Sequence, residues 1–450
     1  MVDIIALISS LAPYVTATTL RQMARVIAAI LAMHGRITML GISRWTEKGG
    51  SYRSVQRFFN TVLPWPLLYW ALFRTQLYRS GDPYILVGDE CIVPKAGKHT
   101  YGLERFFSSL YGKPIPGLAF FALALVNTRA RQSYPVQVEQ MLKDECGKAA
   151  PQAKRTRKKN RKAGSQRPVG RPQGSKNKDK AQVTLTPELK LIQTMVQKQQ
   201  VVINGLFSVR YLALDGHFGN NNALQMTLQC GLHLISKLRR DSALYFHYEG
   251  PQHKSGAQRR YGDKINYNSI PARYLRASET DQDIRTDYYQ ATMLHKTFAQ
   301  PLNVVIIVKT NLKTGARAHV VLFSSDLDLA YEQLVDDYRL RFQIEFNFRD
   351  AKQHWGLDDF MNVKEIPVTN AANLSLFMVD VAQCLLADLR QQHPHAGVLD
   401  LKACFCGRKY VNATLELLPE KPEPILLDHI YDQITALGSI HRAKTAINSP

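Results

Sequence analysis

The sequence predicts an α/β protein whose mixed sheet carries a β-rich insertion and is flanked by helical regions at both ends. Three observations carry this. Helical periodicity dominates residues 1–80 and 367–450, short apolar strand runs begin at residue 84, and strand runs alternate with turn signals over 241–325.

At the amino end, Thr18 or Thr19 can cap a helix in which Met23, Val26, Ile27, Ile30 and Leu31 recur with helical spacing. A second helical run covers 37–46 and stops before Gly49-Gly50. Ser51 opens a third over 52–60, with Arg53 and Arg57 four apart on one face. Three short helices with a glycine turn and a basic last member are consistent with a helix-turn-helix variant. A plain three-helix packing unit reads equally well. A strand over 84–88 ends at Asp89, and 118–127 and 134–138 form two more around a turn. Thr186, Pro187 and Glu188 then supply a cap, a first-position proline and a first-turn acid for a helix reaching about residue 200. A strand over 211–214 ends at Asp215, followed by a helix at 222–229 and a strand at 232–237. The order β-β-β-α-β-α-β reads as a sheet of mixed pairing. Within 241–325 the clearest strands are 303–309 and 318–324. From 328 to about 355 the chain returns to helix.

The 450 residues suffice for roughly two to four structural units. With 58 Lys+Arg against 37 Asp+Glu, the net charge of +21 points to a polyanion, either nucleic acid or an anionic membrane surface. The membrane reading weakens because no apolar stretch nears the roughly 20 residues that span a bilayer. The longest candidate, 115–126, is broken by Pro116 and Gly117. The amino terminus carries Asp3 and no Lys or Arg before Arg21, so it lacks the basic start of a secretory signal. Six scattered cysteines fit reduced cytosolic thiols, and Cys404-Phe-Cys406 lacks the usual zinc spacing. A cytoplasmic, polyanion-seeking protein is expected. Residues 151–180 hold twelve Lys or Arg and one acid, Asp179, a net +11 that is about half of the chain's surplus. Such a stretch cannot bury enough apolar surface to fold alone and reads as a flexible basic insertion.

Two aspartates at strand ends would ordinarily be turn caps. The segment 338–352 changes that reading. At about 100° per residue, Tyr338, Arg341, Glu345 and Lys352 fall within an arc of about 60° on one helix face. The other side carries Leu340, Phe342, Ile344, Phe346 and Phe348. The bland alternative is an Arg341–Glu345 surface pair contributing about 0.2–0.5 kcal/mol. Chemically, phosphodiester cleavage uses two divalent cations about 3.5–4 Å apart, and such ions take carboxylate ligands. Asp89, Asp215 and Glu345 would supply three. Arg341 and Lys352 would grip nearby phosphates, and Tyr338 would position one by hydrogen bonding.

The pattern Tyr338-x2-Arg341-x3-Glu345-x6-Lys352 resembles the Y-R-E-K signature of bacterial insertion-sequence transposases of the DDE class, the IS-four-like superfamily. Residues 87–98, VGDECIVPKAGK, and 212–219, LALDGHFG, are similar to that family's first and second aspartate regions. The resemblance covers about 80–392. It implies a ribonuclease-H-like fold in which Asp89, Asp215 and Glu345 are catalytic ligands of two Mg ions, with Mn as a substitute. It also implies that Tyr338, Arg341 and Lys352 contact DNA near the cleaved bond.

The expected activity is cut-and-paste transposition on double-stranded DNA, at transposon ends and at target, by a homodimer when DNA-bound in a nucleoid-associated setting. Rivals are a non-catalytic sequence-preferring DNA-binding protein and a metal-dependent nuclease that does not join strands. Further DNA contacts are expected from Arg53 and Arg57 and from Arg155, Arg157, Lys158, Lys159 and Arg171 in the basic insertion. Gly170-Arg171-Pro172 resembles an AT-hook core, although a generic phosphate-binding tether explains it as simply. The family often has a hydroxyl residue where Glu90-Cys91 stands, and Glu90 is expected to face solvent. Trp355 lies just past the signature and receives no role. The domain boundaries that follow are a helical DNA-binding domain at 1–80 and a first catalytic part at 81–240 containing the basic insertion at 151–182. A β-rich insertion at 241–325, the returning Glu helix at 326–366 and a helical end at 367–450 complete them.

Overall fold

Helices begin in this chain where a side chain can take the place of a missing backbone acceptor. In a computed structural model, which describes residues 3–46, 49–108, 112–142, 179–252, 255–420 and 422–441, Asp3 caps α1 (Ile4–Leu7). Thr16, in extended conformation, accepts from the Thr19 amide and opens α2 (Ala17–Ala32). The cap is therefore Thr16 and not Thr18 or Thr19, both of which lie inside the helix. Thr38 and Ser51 cap α3 (Met39–Trp45) and α4 (Tyr52–Asn60) in the same way. Next, α5 (Trp65–Leu72) runs into a π-type turn over Phe73–Leu77. The chain continues with β1 (Tyr84–Pro94), β2 (Glu104–Ser108), β3 (Lys113–Asn127), β4 (Gln132–Met141), α6 (Pro187–Ile203), β5 (Tyr211–Leu214), α7 (Asn221–Gln229) and β6 (His233–Leu238). Then come β7 (Leu244–His247), β8 (Tyr261–Lys264), β9 (Leu275–Asp281), β10 (Ile284–His295), β11 (Leu302–Asn311), β12 (Arg317–Ser324) and α8 (Tyr331–Leu340). The last helices are α9 (Gln343–His354), α10 (Glu365–Gln392), α11 (Val398–Leu415) and α12 (Pro424–Thr435). The strand β2 has no counterpart in the order read from sequence, because its residues ERFFS show no clean alternation. The basic stretch 151–178 lies outside the described residues.

Two compact units divide the chain. The first comprises Met1–Gln140, Met195–Val209 and Leu340–Pro450. Its sheet is antiparallel: β1 pairs with β3 from Tyr84↔Asn127 to Pro94↔Gly117, β2 pairs with the start of β3, and β4 also pairs with β3. β3 is buried without a break from Gly117 to Asn127, the pattern of a strand covered on both faces. Phe73, Tyr84, Tyr134 and Phe207 form an aromatic cluster that seats the π-type turn on β1 and β4.

The second unit comprises Met141–Thr194 and Arg210–Arg339. β5 and β6 run parallel, Tyr211 opposite His233, with α7 between them in sequence as the crossover. From β6 the order continues β12-β11-β10-β7-β8 through antiparallel pairs, and β9 adds to β10. This is a mixed α/β protein with a strand-rich stretch and helices at both ends, the class expected from sequence and consistent with a ribonuclease-H-like domain.

The core of the first unit is organised by α10. By length and composition this helix could cross a membrane, which the sequence reading overlooked, yet 78% of its most apolar window is buried inside the protein. It also carries buried polar side chains used as fasteners. Asn370 donates to the carbonyls of Phe59 and Thr61 at the end of α4 and accepts from the Trp65 indole. Tyr69 donates to the Asn373 carbonyl. The amino-terminal helices are thus tied to the carboxy-terminal part of the chain by bonds that no local pattern encodes.

Two predictions follow from this packing. Replacing Asn370 with Ala orphans two buried carbonyls and an indole N–H, and should lower unfolding free energy by about 2–4 kcal/mol in urea titrations. In α8, Asp337 is buried, and its Oδ2 has no hydrogen-bond partner among the described residues. Burial pushes its carboxyl up to about 6, against a hydrogen bond with Gln333 and with help from the Asp336 charge. The folded state therefore holds this proton more tightly than the unfolded one, so stability should fall as pH rises from about 4 to 6. Asp337→Asn should remove that loss and gain about 2–3 kcal/mol at pH 7, measured by denaturation across pH.

Candidate active site

Asp89 sits where β1 turns from buried to half-exposed: Tyr84 to Gly88 are buried, and Asp89 is the first residue with access to solvent. Its Oδ1 accepts from the Glu90 amide, and its Oδ2 accepts from Arg341 Nη1 at 2.7 Å. The same guanidinium donates through Nη2 to Glu345 Oε1 at 2.9 Å. One cation therefore bridges two of the three candidate carboxylates. The Arg341 side chain is 12% exposed, Asp89 19% and Glu345 39%, so the bridge is enclosed on the Asp89 side and open beside Glu345. Partial burial raises its strength above that of a surface pair. Glu345 lies in the first turn of α9, where the helix dipole favours negative charge.

Several contacts fix α9 in this position. Ile344, Phe348 and Ala351 are buried, and Asn347 donates to Ser133 on β4 at 2.8 Å. Lys352 donates to the Ile92 carbonyl of β1 at 2.7 Å. Three residues of the signature, Arg341, Glu345 and Lys352, therefore stand along β1 together with Asp89. The single helix expected from 338 to 352 does not form. α8 stops at Leu340, and Arg341 and Phe342 make a tight turn in which the Ile344 and Glu345 amides bond to Arg341 and Phe342 carbonyls. An angular projection along one axis does not carry across that break, so it does not place the Tyr338 phenol with the other three. Phe342 and Phe346, expected on an apolar packing face, are instead exposed and stack edge to face at 5.3 Å. The turn rotates them to solvent.

Asp215 belongs to the second unit. It closes β5, caps the short turn Gly216–Phe218 by accepting from the His217 amide, and receives the Ser236 hydroxyl on its carbonyl. Gly219 ends this loop against β6: a Cβ there would meet the Lys237 carbonyl at 2.1 Å, so only glycine fits. That close approach accounts for the glycine in the segment 212–219. Arg53 and Arg57 are exposed on α4, whose buried side is Val55, Phe58 and Phe59. Arg155, Arg157, Lys158, Lys159 and Arg171 lie outside the described residues. Glu90 is exposed, as expected, whereas Trp355 is buried, with the Lys402 ammonium 5.1 Å from its ring centroid.

Sequence reasoning missed Asn347 and Lys95. Asn347 was discoverable as a polar residue between two phenylalanines on a packing helix. Lys95 stands within the first aspartate segment and donates to the carbonyls of Asp358 and Phe360. Burial pulls its ammonium down to about 8, opposed by Asp358 and Asp359.

Oxygen donors suit a hard divalent cation, and Asp89 and Glu345 already direct one oxygen each at a shared positive group. The pair thus fits the chemistry of such an ion. Among the described residues no group of three or more His, Cys, Asp or Glu is gathered to hold a metal. Burial pushes the neighbouring Cys91 thiol up to about 12 despite the nearby Lys352, so it remains protonated and is no nucleophile.

Asp89 on a strand and Glu345 on an adjoining helix form a carboxylate pair within a mixed α/β protein. The chain belongs to the DDE superfamily endonucleases: that family's profile matches residues 10–301, well over half of the chain, including Asp89 and Asp215 but ending before Glu345. No curated protein matches it. Nuclease or transposase chemistry on DNA follows from the family.

The bridge makes a prediction about folding alone. Arg341→Gln should destabilise the protein by about 3 kcal/mol in denaturant titrations, because two facing carboxylates lose their shared counter-charge. Arg341→Lys should cost less, since an ammonium keeps the charge without the planar fork.

Proposed function

We propose that this endonuclease-family protein is a DNA transposase of the IS-four-like kind. It would bind transposon ends, cleave strands there with a divalent metal, and join the freed 3′-hydroxyls to target DNA. The observation that carries the reading is the Arg341 guanidinium held between Asp89 and Glu345, which gathers the signature's glutamate and the first-segment aspartate around one positive charge. Asp89, Asp215 and Glu345 are the proposed ligands of Mg, or Mn in its place. When bound, the metal would activate the attacking oxygen and stabilise the leaving oxygen.

The chain's own groups do the rest. Neutralising the acids frees the Arg341 fork to take a phosphate in bidentate fashion. Lys352 adds a point charge beside it, and Tyr338 orients a phosphate by hydrogen bonding. The reaction is proposed as direct in-line attack without a covalent protein intermediate. Arg53 and Arg57, with Arg155, Arg157, Lys158, Lys159 and Arg171, supply phosphate contacts away from the reaction. Two ends must be paired, so the DNA-bound form is proposed as a homodimer.

A strand-transfer assay with labelled element ends tests this. Asp89→Ala, Asp215→Ala and Glu345→Ala should each lower cleavage by about a thousandfold, about 4 kcal/mol of transition-state stabilisation, while end binding survives. Full cleavage by these variants would remove the assignment. Cleavage without joining by the parent protein would make it a nuclease only.

A further inference from the structure

A cleft in the described second unit lies among its strand-rich elements. It measures about 640 Å3 and is bounded by the residues after β6, the end of β8 with the loop that follows, and the start of β12. Arg240, Lys264 and Arg317 bring three positive charges to its wall. The one acid in the lining, Asp241, lies 3.8 Å from the exposed Arg239 and also acts on Tyr267 in the floor. The floor is aromatic and rigid. Tyr267 and His319 stack with centroids 4.4 Å apart and planes 12° off parallel. The Tyr267 hydroxyl donates to the Ser242 carbonyl at 2.7 Å, and burial pushes that phenol up to about 12. His319 Nε2 is 2.8 Å from the Arg240 carbonyl; since a carbonyl only accepts, Nε2 carries the proton. Arg317 spends one N–H on the Asn268 carbonyl, which holds its guanidinium across the mouth. Arg317 and His319 are two apart on β12 and so project to the same face.

Three exposed basic side chains against one acid leave the wall net positive, a surface that attracts an anion. The volume falls within the roughly 300–1,000 Å3 of small-molecule sites. Guanidinium forks match phosphate geometry, and the stacked floor with its backbone bonds holds the strands and loop that carry them in place.

We infer that this cleft is a phosphate-binding subsite that grips the backbone of the DNA substrate, separate from the carboxylate chemistry. The inference rests on DNA being the substrate, but not on cleavage or joining. It assigns Arg240 and Arg317 to phosphate, with the Tyr267–His319 stack as the rigid support between them.

The test measures binding of the full chain to a labelled duplex by fluorescence anisotropy in EDTA, over a series of salt concentrations. Each lost phosphate contact should reduce the slope of log affinity against log salt by about 0.9. Arg240→Ala with Arg317→Ala should flatten the slope by about two and weaken binding at least tenfold, whereas R317A alone should give about half the slope change. R240K with R317K should keep most of it. Melting curves of the parent and R317A should coincide, which separates lost contact from lost fold. Glu345→Gln should lose cleavage yet keep the parental slope, so failure of this subsite and failure of the transposase reading are distinguishable. Folded variants with unchanged slope and affinity would overturn the proposal. So would a cleft that binds deoxyadenosine monophosphate or inorganic phosphate while the DNA slope stays parental, since the site would then serve a free anion.

Discussion

Asp89 and Glu345 can stand close to one another only because the Arg341 guanidinium lies between them. Two like charges in a partly enclosed site repel strongly, and water cannot screen them there as it does at the surface. The planar fork of arginine resolves this by giving one nitrogen to each acid, at 2.7 and 2.9 Å. A lysine has no such geometry. Much of the surrounding structure serves this arrangement. The eleven-residue pairing of β1 with β3 holds Asp89 in register. The Asn347–Ser133 and Lys352–Ile92 bonds fix the helix that carries Glu345. The tight turn at Arg341 and Phe342 aims the guanidinium inward.

The frame behind the site relies on buried polarity more than its hydrophobic composition suggests. Asn370, Asn373, Ser375 and Asp380 are all buried in α10. The Asn370 amide fastens the amino-terminal helices to this helix and the Asn373 amide reaches the Val138 carbonyl of β4, directional bonds that select one docking geometry in a way that apolar contact alone does not. Asp380 is different. Both its side-chain oxygens lack hydrogen-bond partners among the described residues, and burial drives its carboxyl well above the usual range. Burial there favours its neutral form. The same holds for the Tyr69 hydroxyl, kept protonated by burial and bonded to the Asn373 carbonyl. Outside this core the charge surplus is concentrated in a few places: the exposed arginines of α4, the basic stretch 151–180, and the cleft beside Tyr267. A polyanion meeting such a surface is drawn in by counterion release before any specific contact forms.

Much of this was legible in the residues themselves. The strand ending at Asp215, the helix begun by Pro187, and the boundaries of α4 follow from apolar runs, turn residues and caps, all of which act within a few positions, whereas the strand expected to end at Asp89 continues to Pro94 because its pairing with β3 extends that far. The spacing of Arg341 and Glu345 anticipated one contact, since the arginine does meet the glutamate four residues on. Other features were closed to that reasoning. Thr16 in place of Thr18 or Thr19 as the cap of α2 depends on which residue adopts the extended conformation. The stop after Leu340 is invisible to a periodic pattern that runs unbroken through Phe342. The site residue order along β1 depends on which helix face packs there.

By itself, then, the sequence determined the class of fold, the location of the candidate acids along the chain, and the basic character that suits DNA. Those properties are local or additive: propensity, periodicity and charge are sums over neighbours. Tertiary structure alone decided that Arg341 turns towards Asp89, 252 positions away, that α10 is a core helix despite a composition fit for a membrane, and that Arg240, Lys264 and Arg317 share one cleft. Each of these depends on which distant surfaces exclude water from one another, and that is settled by the packed chain as a whole.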